Sequence, residues 1–257
     1  RLPKVRSDLA GRMEGSTGRQ RIRKNTISEY PVIVPPLPEQ RRIAGALRVI
    51  QEAIDAQKNV IAAAREFKHS LMERLFTYGS GPEPAPTKET KIGDIPENWG
   101  IVLIGDIAKT TSGGTPDRSN EKYYNGRIPW VKSGELNNSL HIKFSEEKIT
   151  ELGLENSSEK LFPSDTLLIA MYGATAGKVG ILEIPASTNQ AVCAIFPSKK
   201  ISNYYLFYAL IHSRKRLLGE RYGGAQPNIS QRVLTDFKVP LPSIYKQRKI
   251  ADILISV

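Results

Sequence analysis

The sequence has little of what several classes of protein require. Its 257 residues include a single cysteine, Cys193, so no disulfide can form within the chain. The three histidines, His69, His141 and His212, lie far apart, whereas a zinc site needs roughly four clustered ligands. No apolar run approaches the roughly 20 residues that a membrane-spanning helix requires. These shortages predict a protein of a reducing cytoplasm, with no metal site and no membrane span.

Positive charge is what the sequence has in excess. Lys and Arg number 37 against 26 Asp and Glu, which gives a formal net charge of +11. Residues 1–24 carry 8 basic and 2 acidic groups, and residues 214–249 carry 9 and 2. Residues 79–213 carry 13 basic and 15 acidic groups. Two basic blocks favour two places of contact with a polyanion, nucleic acid first, or else two solvated faces.

An ungapped internal repeat connects the two basic blocks. At an offset of 207 residues, the segment 22–47 lies over the segment 229–254. In each copy a β-branched stretch, at 32–34 and again at 239–241, predicts a strand that prolines end, and a helix follows. So long a period predicts a duplicated unit of domain and spacer. The identical pairs are Ile22/Ile229, Val32/Val239, Pro35/Pro242, Gln40/Gln247, Arg41/Arg248, Ile43/Ile250, Ala44/Ala251 and Leu47/Leu254.

A long helix is predicted at 36–78, because residues 39–78 contain no proline and only one glycine. Apolar residues recur along it at heptad spacing, which predicts a seam that pairs with another helix. The alternative is a helix that packs on its own domain. The predicted helix-pairing residues are Ile43, Leu47, Ile50, Ile54, Ile61, Ala64, Leu71 and Leu75.

The rest of the chain divides around this helix. Residues 79–94 are typical of a linker, since 79–91 contain three prolines and two glycines without a hydrophobic period. Residues 95–242 predict a mixed α/β (α+β) domain. Its predicted strands are at 101–104, 166–171, 179–182 and 191–196, and its helix is at 204–218. By the repeat, residues 1–35 are expected to be the C-terminal tail of a first such domain, and 243–257 the start of a second spacer helix.

Four segments of this domain resemble the target-recognition domain of type I restriction-modification specificity subunits. They are Ser-Gly-Gly-Thr-Pro at 112–116, Ile-Pro-Trp-Val-Lys-Ser-Gly-Glu-Leu at 128–136, Gly-Ala-Thr-Ala-Gly-Lys-Val at 173–179 and Gly-Gly-Ala-Gln-Pro-Asn-Ile-Ser at 223–230. Both spacers add a proline-rich entry and a Gln-Arg-(Arg/Lys)-Ile-Ala start. The order and spacing of these segments carry the resemblance, which runs from about residue 22 to 257. Since much of a first domain and of a second helix is absent, a fragment or half-subunit is expected.

The resemblance implies a mixed α/β target-recognition domain with long, coiled-coil-like spacer helices. It implies a non-catalytic subunit that reads one half of a bipartite target in double-stranded DNA and docks methyltransferase (M) and restriction (R) subunits in a prokaryotic cytoplasm. S-adenosylmethionine, ATP and Mg²⁺ are expected in those partner subunits, with no cofactor on this chain. In agreement, the sequence lacks the Asn/Asp-Pro-Pro-aromatic motif of amino-methyltransferases. Homodimerisation through the spacer helices, or pairing with the helix of a longer subunit, would cover the heptad seam.

Loop chemistry suggests which residues contact DNA. Gly-rich loops bring the backbone close to a ligand, and Arg, Lys, Gln and Asn bind phosphates and base edges. The alternative is that the Gly-rich loops are scaffold, which favours the residues outside them, Arg118, Tyr123 and Tyr124, as readers. The candidates are Ser112, Gly113, Thr115, Arg118, Tyr123, Tyr124, Lys132, Ser133, Tyr172, Lys178, Arg221, Tyr222, Gln226 and Asn228.

Two other functions stay open on the sequence. Asp117, Glu146 and Lys148 resemble the acidic-acidic-lysine set of a Mg²⁺-dependent nuclease. A helical assembly adaptor would use only the heptad seam and would not bind DNA. The segment 173–179 falls one residue short of a phosphate-binding loop between its glycines and is expected to be a turn.

Overall fold

The computed structural model describes residues 2–15, 18–219 and 228–257. Two compact units divide the chain, Arg1–Ile61 and Ala62–Val257. The helices are α1 (Leu2–Ala10), α2 (Lys24–Ser28), α3 (Leu37–Tyr78), α4 (Ile104–Ile107), α5 (Glu151–Glu155), α6 (Asn203–His212), α7 (Arg214–Gly219), α8 (Gln231–Thr235) and α9 (Ile244–Ile255). The strands are β1 (Thr87–Lys88), β2 (Ile95–Pro96), β3 (Gly100–Leu103), β4 (Thr110–Ser112), β5 (Tyr124–Val131), β6 (Ser139–Ile142), β7 (Glu147–Ile149), β8 (Leu167–Ala170), β9 (Val179–Leu182), β10 (Ser187–Thr188), β11 (Val192–Ile195) and β12 (Lys238–Leu241).

A five-stranded sheet with the order β4-β11-β8-β9-β6 forms the centre of the second unit. Strands β8, β9 and β11 are buried on both faces, as their continuous apolar sequences predict. Alternate residues of β8 face two separate cores: Leu167 and Ile169 enter one, Leu168 and Ala170 the other. Helix α6 packs in the first core. The helix predicted at 204–218 is interrupted at Ser213, where α6 ends and α7 follows.

A smaller sheet with the order β10-β5-β7 contributes to the second core. Strand β10 runs parallel to β5, and β7 runs antiparallel to it. Strand β1, within the segment predicted as a linker, pairs antiparallel with β2, which directly follows that segment, so part of the predicted linker is built into the second unit. In the described parts of the chain, no helix is long and apolar enough to cross a bilayer.

The last turns of α3 belong to the core of the second unit. Leu75 is buried with Met72 and Phe76, and Leu71 packs against the same core. For Leu71 and Leu75 the prediction of helix pairing is therefore corrected, because their own domain offers the apolar surface that covers them. The other predicted pairing residues are exposed, and their role stays a prediction: Ile43, Leu47, Ile50, Ile54, Ile61 and Ala64.

The sequence repeat is also a repeat of local structure. The Gln40 Nε2 donates to the Pro35 carbonyl at 2.8 Å, and the Gln247 Nε2 donates to the Pro242 carbonyl at 2.9 Å. Each bond ties the first turn of a helix to the proline that precedes it. The glutamines therefore align in the structure as they do in the sequence.

The two copies differ in what covers them. In the second copy β12 pairs antiparallel with β3, and Val239 is fully buried. In the first copy residues 32–34 form no strand, and Val32 is 72% exposed. The strand predicted at 32–34 is thus wrong for this structure. A strand needs a partner for its backbone groups, and the counterpart of β3 is not among the described residues of the first unit.

We expect Gln247→Ala to lower the free energy of unfolding of the second unit by about 2 kcal/mol. Its side chain is buried and also accepts a hydrogen bond from the Ser202 N–H at 2.8 Å, so alanine leaves two backbone groups without this partner. Urea unfolding followed by tryptophan fluorescence checks this, since Trp99 and Trp130 both lie in the second unit. Gln40→Ala is the matched control and should leave that transition unchanged. Equal effects of the two substitutions would contradict the prediction.

Candidate nucleic-acid interface

The loops that carry most of the candidate DNA-binding residues lie at one end of the five-stranded sheet. The end of β4 pairs with the start of β11 through Ser112 and Cys193. The end of β8, at Ala170, lies beside the start of β11 and close to the start of β9. The start of β6 pairs with β9 through Ser139 and Gly180. Segments 113–118, 132–138, 172–178 and 189–191 therefore leave the sheet at the same end.

The glycines of the first loop are packed against neighbouring backbone. A Cβ on Gly113 would lie 1.9 Å from the Thr188 carbonyl oxygen, and one on Gly114 would lie 2.4 Å from the Ser158 Oγ. Ser112 is half-buried within β4. The structure thus gives Ser112 and Gly113 a packing role, the scaffold alternative of the sequence analysis.

Beneath this loop, a buried carboxylate fixes a tryptophan. The Trp130 Nε1 donates to the Glu159 Oε1 at 2.6 Å and to the Gly114 carbonyl at 3.3 Å, and the Ser187 hydroxyl also donates to Glu159. Burial raises the pKa of Glu159 to about 7, although these hydrogen bonds oppose the shift. Sequence reasoning missed Glu159. The available signal was Trp130 itself, whose indole N–H needs an acceptor when buried.

The Arg118 side chain packs against two aromatic rings, one of which is that of Trp130. Its guanidinium carbon is 4.7 Å from the ring centroids of both Tyr124 and Trp130, a cation–π geometry. The Tyr124 hydroxyl donates to the Pro116 carbonyl at 2.6 Å, which holds the loop against the small sheet. The Arg118 Nη1 donates to the Glu147 Oε2 at 2.6 Å.

Lys132 binds the other oxygen of the Glu147 carboxylate. Its Nζ donates to the Glu147 Oε1 at 2.9 Å and to the Glu146 Oε2 at 3.1 Å. The hydrogen bonds from Arg118 and Lys132 lower the pKa of Glu147. Two predicted DNA-contacting cations are thus balanced by two carboxylates in the free protein. This differs from the simple basic patch that the overall charge favours.

Three further candidates, Thr115, Tyr123 and Ser133, lie in this region. Ser133 begins a 3-10 turn, Ser133–Glu135, that follows Lys132. The Thr115 hydroxyl donates to the side-chain oxygen of Gln190. Tyr123 is half-buried and packs closely on Gly153. A Cβ added to Gly153 would lie 2.6 Å from the Tyr123 carbonyl oxygen.

A second group of candidates surrounds the turn at 172–178. Tyr172 is partly exposed and forms an isolated antiparallel bridge with Asn228. The Lys178 Nζ donates to the Asn137 Oδ1 at 3.1 Å. The Arg214 Nη2 donates to the Ala176 carbonyl at 2.7 Å, which anchors the turn to the start of α7. Arg221, Tyr222 and Gln226 lie outside the described residues.

The segment 132–138 connects the two groups. Lys132 bonds to Glu147 at its start, and Asn137 bonds to Lys178 near its end. Hydrogen bonds of this segment therefore link the two groups of candidates, and we call the residues named next, Asn137 among them, the loop surface. It consists of Thr115, Arg118, Lys132, Asn137, Tyr172, Lys178 and Asn228.

The nuclease alternative gains no support from this geometry. The Asp117 carboxylate accepts hydrogen bonds from the Ser119 N–H at 2.9 Å and the Ser119 hydroxyl at 2.8 Å, an arrangement typical of a turn. Glu146 bonds to Lys132. Among residues 2–15, 18–219 and 228–257, no three or more His, Cys, Asp or Glu are grouped to hold a metal ion. Gly173–Thr175 form a 3-10 turn, as expected of a segment that departs from a phosphate-binding loop.

Comparison with known families identifies the fold. The family model described as the type I restriction modification DNA specificity domain matches residues 9–64 and 96–257. The chain belongs to this family. The segments of the loop surface all fall within the matched ranges of the specificity domain.

Several relatives are specificity subunits by name. The chain is 34% identical over 171 residues to the type I restriction enzyme MjaIX specificity subunit of Methanocaldococcus jannaschii, covering 65% of this chain and 39% of the relative. It is 27% identical over 247 residues to the EcoR124I/EcoR124II specificity subunit of Escherichia coli, covering 94% and 58%. The chain thus spans at most about three fifths of the length of these two relatives.

Solved structures share the fold. The S subunit of a type I restriction-modification system from M. genitalium matches with a TM-score of 0.59 at 19% identity, covering 99% of this chain and 63% of that one. The HsdS subunit from Thermoanaerobacter tengcongensis matches with a TM-score of 0.52 at 19% identity, covering 98% and 58%. The predicted family and the predicted mixed α/β fold with a long helix are confirmed. The prediction of a DNA specificity family instead of an enzyme family is confirmed by the family model.

Proposed function

We propose that this chain recognises a sequence in double-stranded DNA through its loop surface. The observation that carries the proposal is the convergence of four candidate segments at one end of the five-stranded sheet, in a chain of the DNA specificity family. A surface built from loops on a rigid sheet can present side chains to base edges without moving the core.

The residues of the loop surface fit the chemistry of a DNA groove. Arg118 and Asn228 have the paired donors or donor–acceptor groups that read guanine and adenine edges. Lys178 donates a hydrogen bond to a neutral amide, that of Asn137. Because this partner carries no negative charge, it does not neutralise the lysine, whose positive charge suits a phosphate. Tyr172, partly exposed beside Asn228, offers an apolar ring and a hydroxyl.

We infer that the domain reads one half of a bipartite target and works with methyltransferase and restriction subunits, which would supply S-adenosylmethionine, ATP and Mg²⁺. The exposed heptad residues of α3 would pair with another spacer helix, from a second copy or from a longer subunit. The exposed Ile43, Leu47 and Ile50 support this, because an unpaired apolar stripe favours burial.

The test is selection on a random duplex library. The chain is purified with its neighbouring methyltransferase subunit, and protected DNA is sequenced with S-adenosylmethionine present. We expect one enriched motif, asymmetric or in two parts. A stable complex that enriches no motif would contradict recognition by this chain, and Mg²⁺-dependent cleavage lost in Asp117→Ala would instead establish the nuclease alternative.

We expect Lys178→Ala to weaken binding of the selected duplex about tenfold and to reduce the salt slope of the binding constant by about 0.9, the loss of one phosphate contact. Fluorescence anisotropy at several salt concentrations measures both quantities. Lys199→Ala is the matched control, since it removes an exposed lysine that follows β11 at the opposite end of the sheet. Equal losses in the two variants would argue against the loop surface as the binding face.

A further inference from the structure

Glu147 lies between two cations of the loop surface, Arg118 and Lys132. One carboxylate oxygen accepts from Arg118 at 2.6 Å and the other from Lys132 at 2.9 Å. The carboxylate is part-exposed, with a side-chain exposure of 33%. Each oxygen thus serves one cation, as the oxygens of a phosphate group would.

The position of Glu147 is fixed by the small sheet. It is the first residue of β7 and lies opposite Trp130 of β5. The Ser145 hydroxyl donates to the Glu147 carbonyl at 2.5 Å and accepts from the Trp130 N–H at 2.9 Å. The backbone is held by these bonds and the side chain by its ion pair with Arg118, so the carboxylate lies close to any group that binds Arg118.

A fixed carboxylate treats the two kinds of DNA acceptor differently. A phosphate that binds Arg118 or Lys132 lies within a few ångströms of the negative Glu147 carboxylate. The repulsion between the two anions weakens phosphate binding, because salt screens charges at such short distances only in part. The acceptors of a guanine edge, O6 and N7, carry no formal charge, so the carboxylate repels them much less. Arg118 has five N–H donors, so the bond to Glu147 leaves others for a base.

We propose that Glu147 is a specificity-determining residue: it opposes phosphate binding at Arg118 and Lys132 and reserves Arg118 for a neutral base edge, with guanine as the preferred partner. This inference rests on the proposed function. The sequence-independent phosphate contacts are then made by other lysines, such as Lys178. Sequence-independent binding is thereby kept low without loss of the base contact.

The test is Glu147→Gln, which keeps the size of the side chain and removes its charge. The whole chain, with its methyltransferase subunit, is titrated with a random-sequence duplex and with the selected duplex at several salt concentrations. We expect the affinity for the random duplex to rise about fivefold. The salt dependence of its binding constant should become steeper by the equivalent of about one or two phosphate contacts. Affinity for the selected duplex should change less, so the ratio of specific to random binding falls.

Three variants separate this role from a merely structural one. Glu147→Asp should restore the wild-type ratio. Glu146→Gln should change the random-duplex affinity less than Glu147→Gln, because Glu146 bonds only to Lys132 of this pair and its side chain is 70% exposed. Adding Arg118→Ala to Glu147→Gln should abolish most of the gain in random-duplex binding.

The outcomes distinguish the two levels of the proposal. If the wild-type complex enriches a motif but Glu147→Gln leaves the random-duplex affinity and its salt slope unchanged, the role of Glu147 is overturned and the proposed function stands. Weaker binding of both duplexes by a stably folded Glu147→Gln overturns it as well. If the wild-type complex binds neither duplex, the proposed function fails and this inference fails with it.

Discussion

Gly113→Ala is expected to destabilise the second unit by about 3 kcal/mol or more, because an added methyl group has no space. Its Cβ would lie 1.9 Å from the Thr188 carbonyl oxygen and 2.6 Å from the carbonyl carbon. Thr188 belongs to β10, which pairs with β5 beside the buried Trp130, so its backbone cannot move without disturbing the small sheet. Urea unfolding followed by tryptophan fluorescence measures the loss.

Gly134→Ala is the matched control for this experiment. A Cβ on Gly134 meets no atom within 4 Å, so its unfolding free energy should stay within about 1 kcal/mol of the wild type. The comparison also decides between the two interpretations of the Gly-rich loop. If Gly113→Ala were as stable as Gly134→Ala but failed to bind DNA, Gly113 would be a contact residue and its packing role would be wrong.

Raising the pH from about 5 to about 8 is expected to destabilise the second unit by up to about 3 kcal/mol through Glu159. Burial raises the pKa of this carboxyl from 4.5 to about 7 in the folded protein. Between these values the folded state holds a proton that the unfolded state releases. The stabilisation is therefore complete below the unfolded pKa and is lost as the pH rises through about 7.

Glu159→Gln isolates this contribution. The amide oxygen can still accept from the Trp130 indole, and the group does not titrate, so we expect the variant to match the wild type near pH 5 and to exceed it near pH 8. The difference between the two proteins at each pH cancels other groups, among them His212, whose pKa is lowered by burial. Stability profiles that run parallel across this range would show that Glu159 does not carry the effect.

Periodicity predicted the regular elements well where one physical cause controls them. The strand predicted at 179–182 is β9, Val179–Leu182, and the helix predicted at 36–78 is α3, Leu37–Tyr78. A continuous apolar run bounded by turn residues suits a strand that is buried on both faces, and a long segment without proline suits a helix. Neither requires knowledge of distant residues.

Periodicity did not predict what covers an apolar face. The heptad spacing treats Ile43 and Leu75 alike, yet Ile43 is exposed and Leu75 is buried in its own domain. The two copies of the repeat likewise contain Val32 and Val239 at equivalent positions, and only Val239 is paired and buried. An apolar stripe determines that burial is favourable, whereas its partner depends on which elements the chain brings within reach.

The sequence by itself determined the family, the candidate loops and the residue types that suit a DNA groove, because these are local and lie in short segments. Only the tertiary structure decided how they combine. Arg118, Lys132 and Glu147 come from separate segments, and they meet because the pairing of β5 with β7 places Glu147 opposite Trp130, two residues before Lys132. A net charge counted on the sequence takes no account of where the charges lie, whereas electrostatic energy depends on the distance between them. The neutralisation of Arg118 and Lys132 by Glu147 therefore appears only in the tertiary structure, where the sheet fixes the distances between these groups.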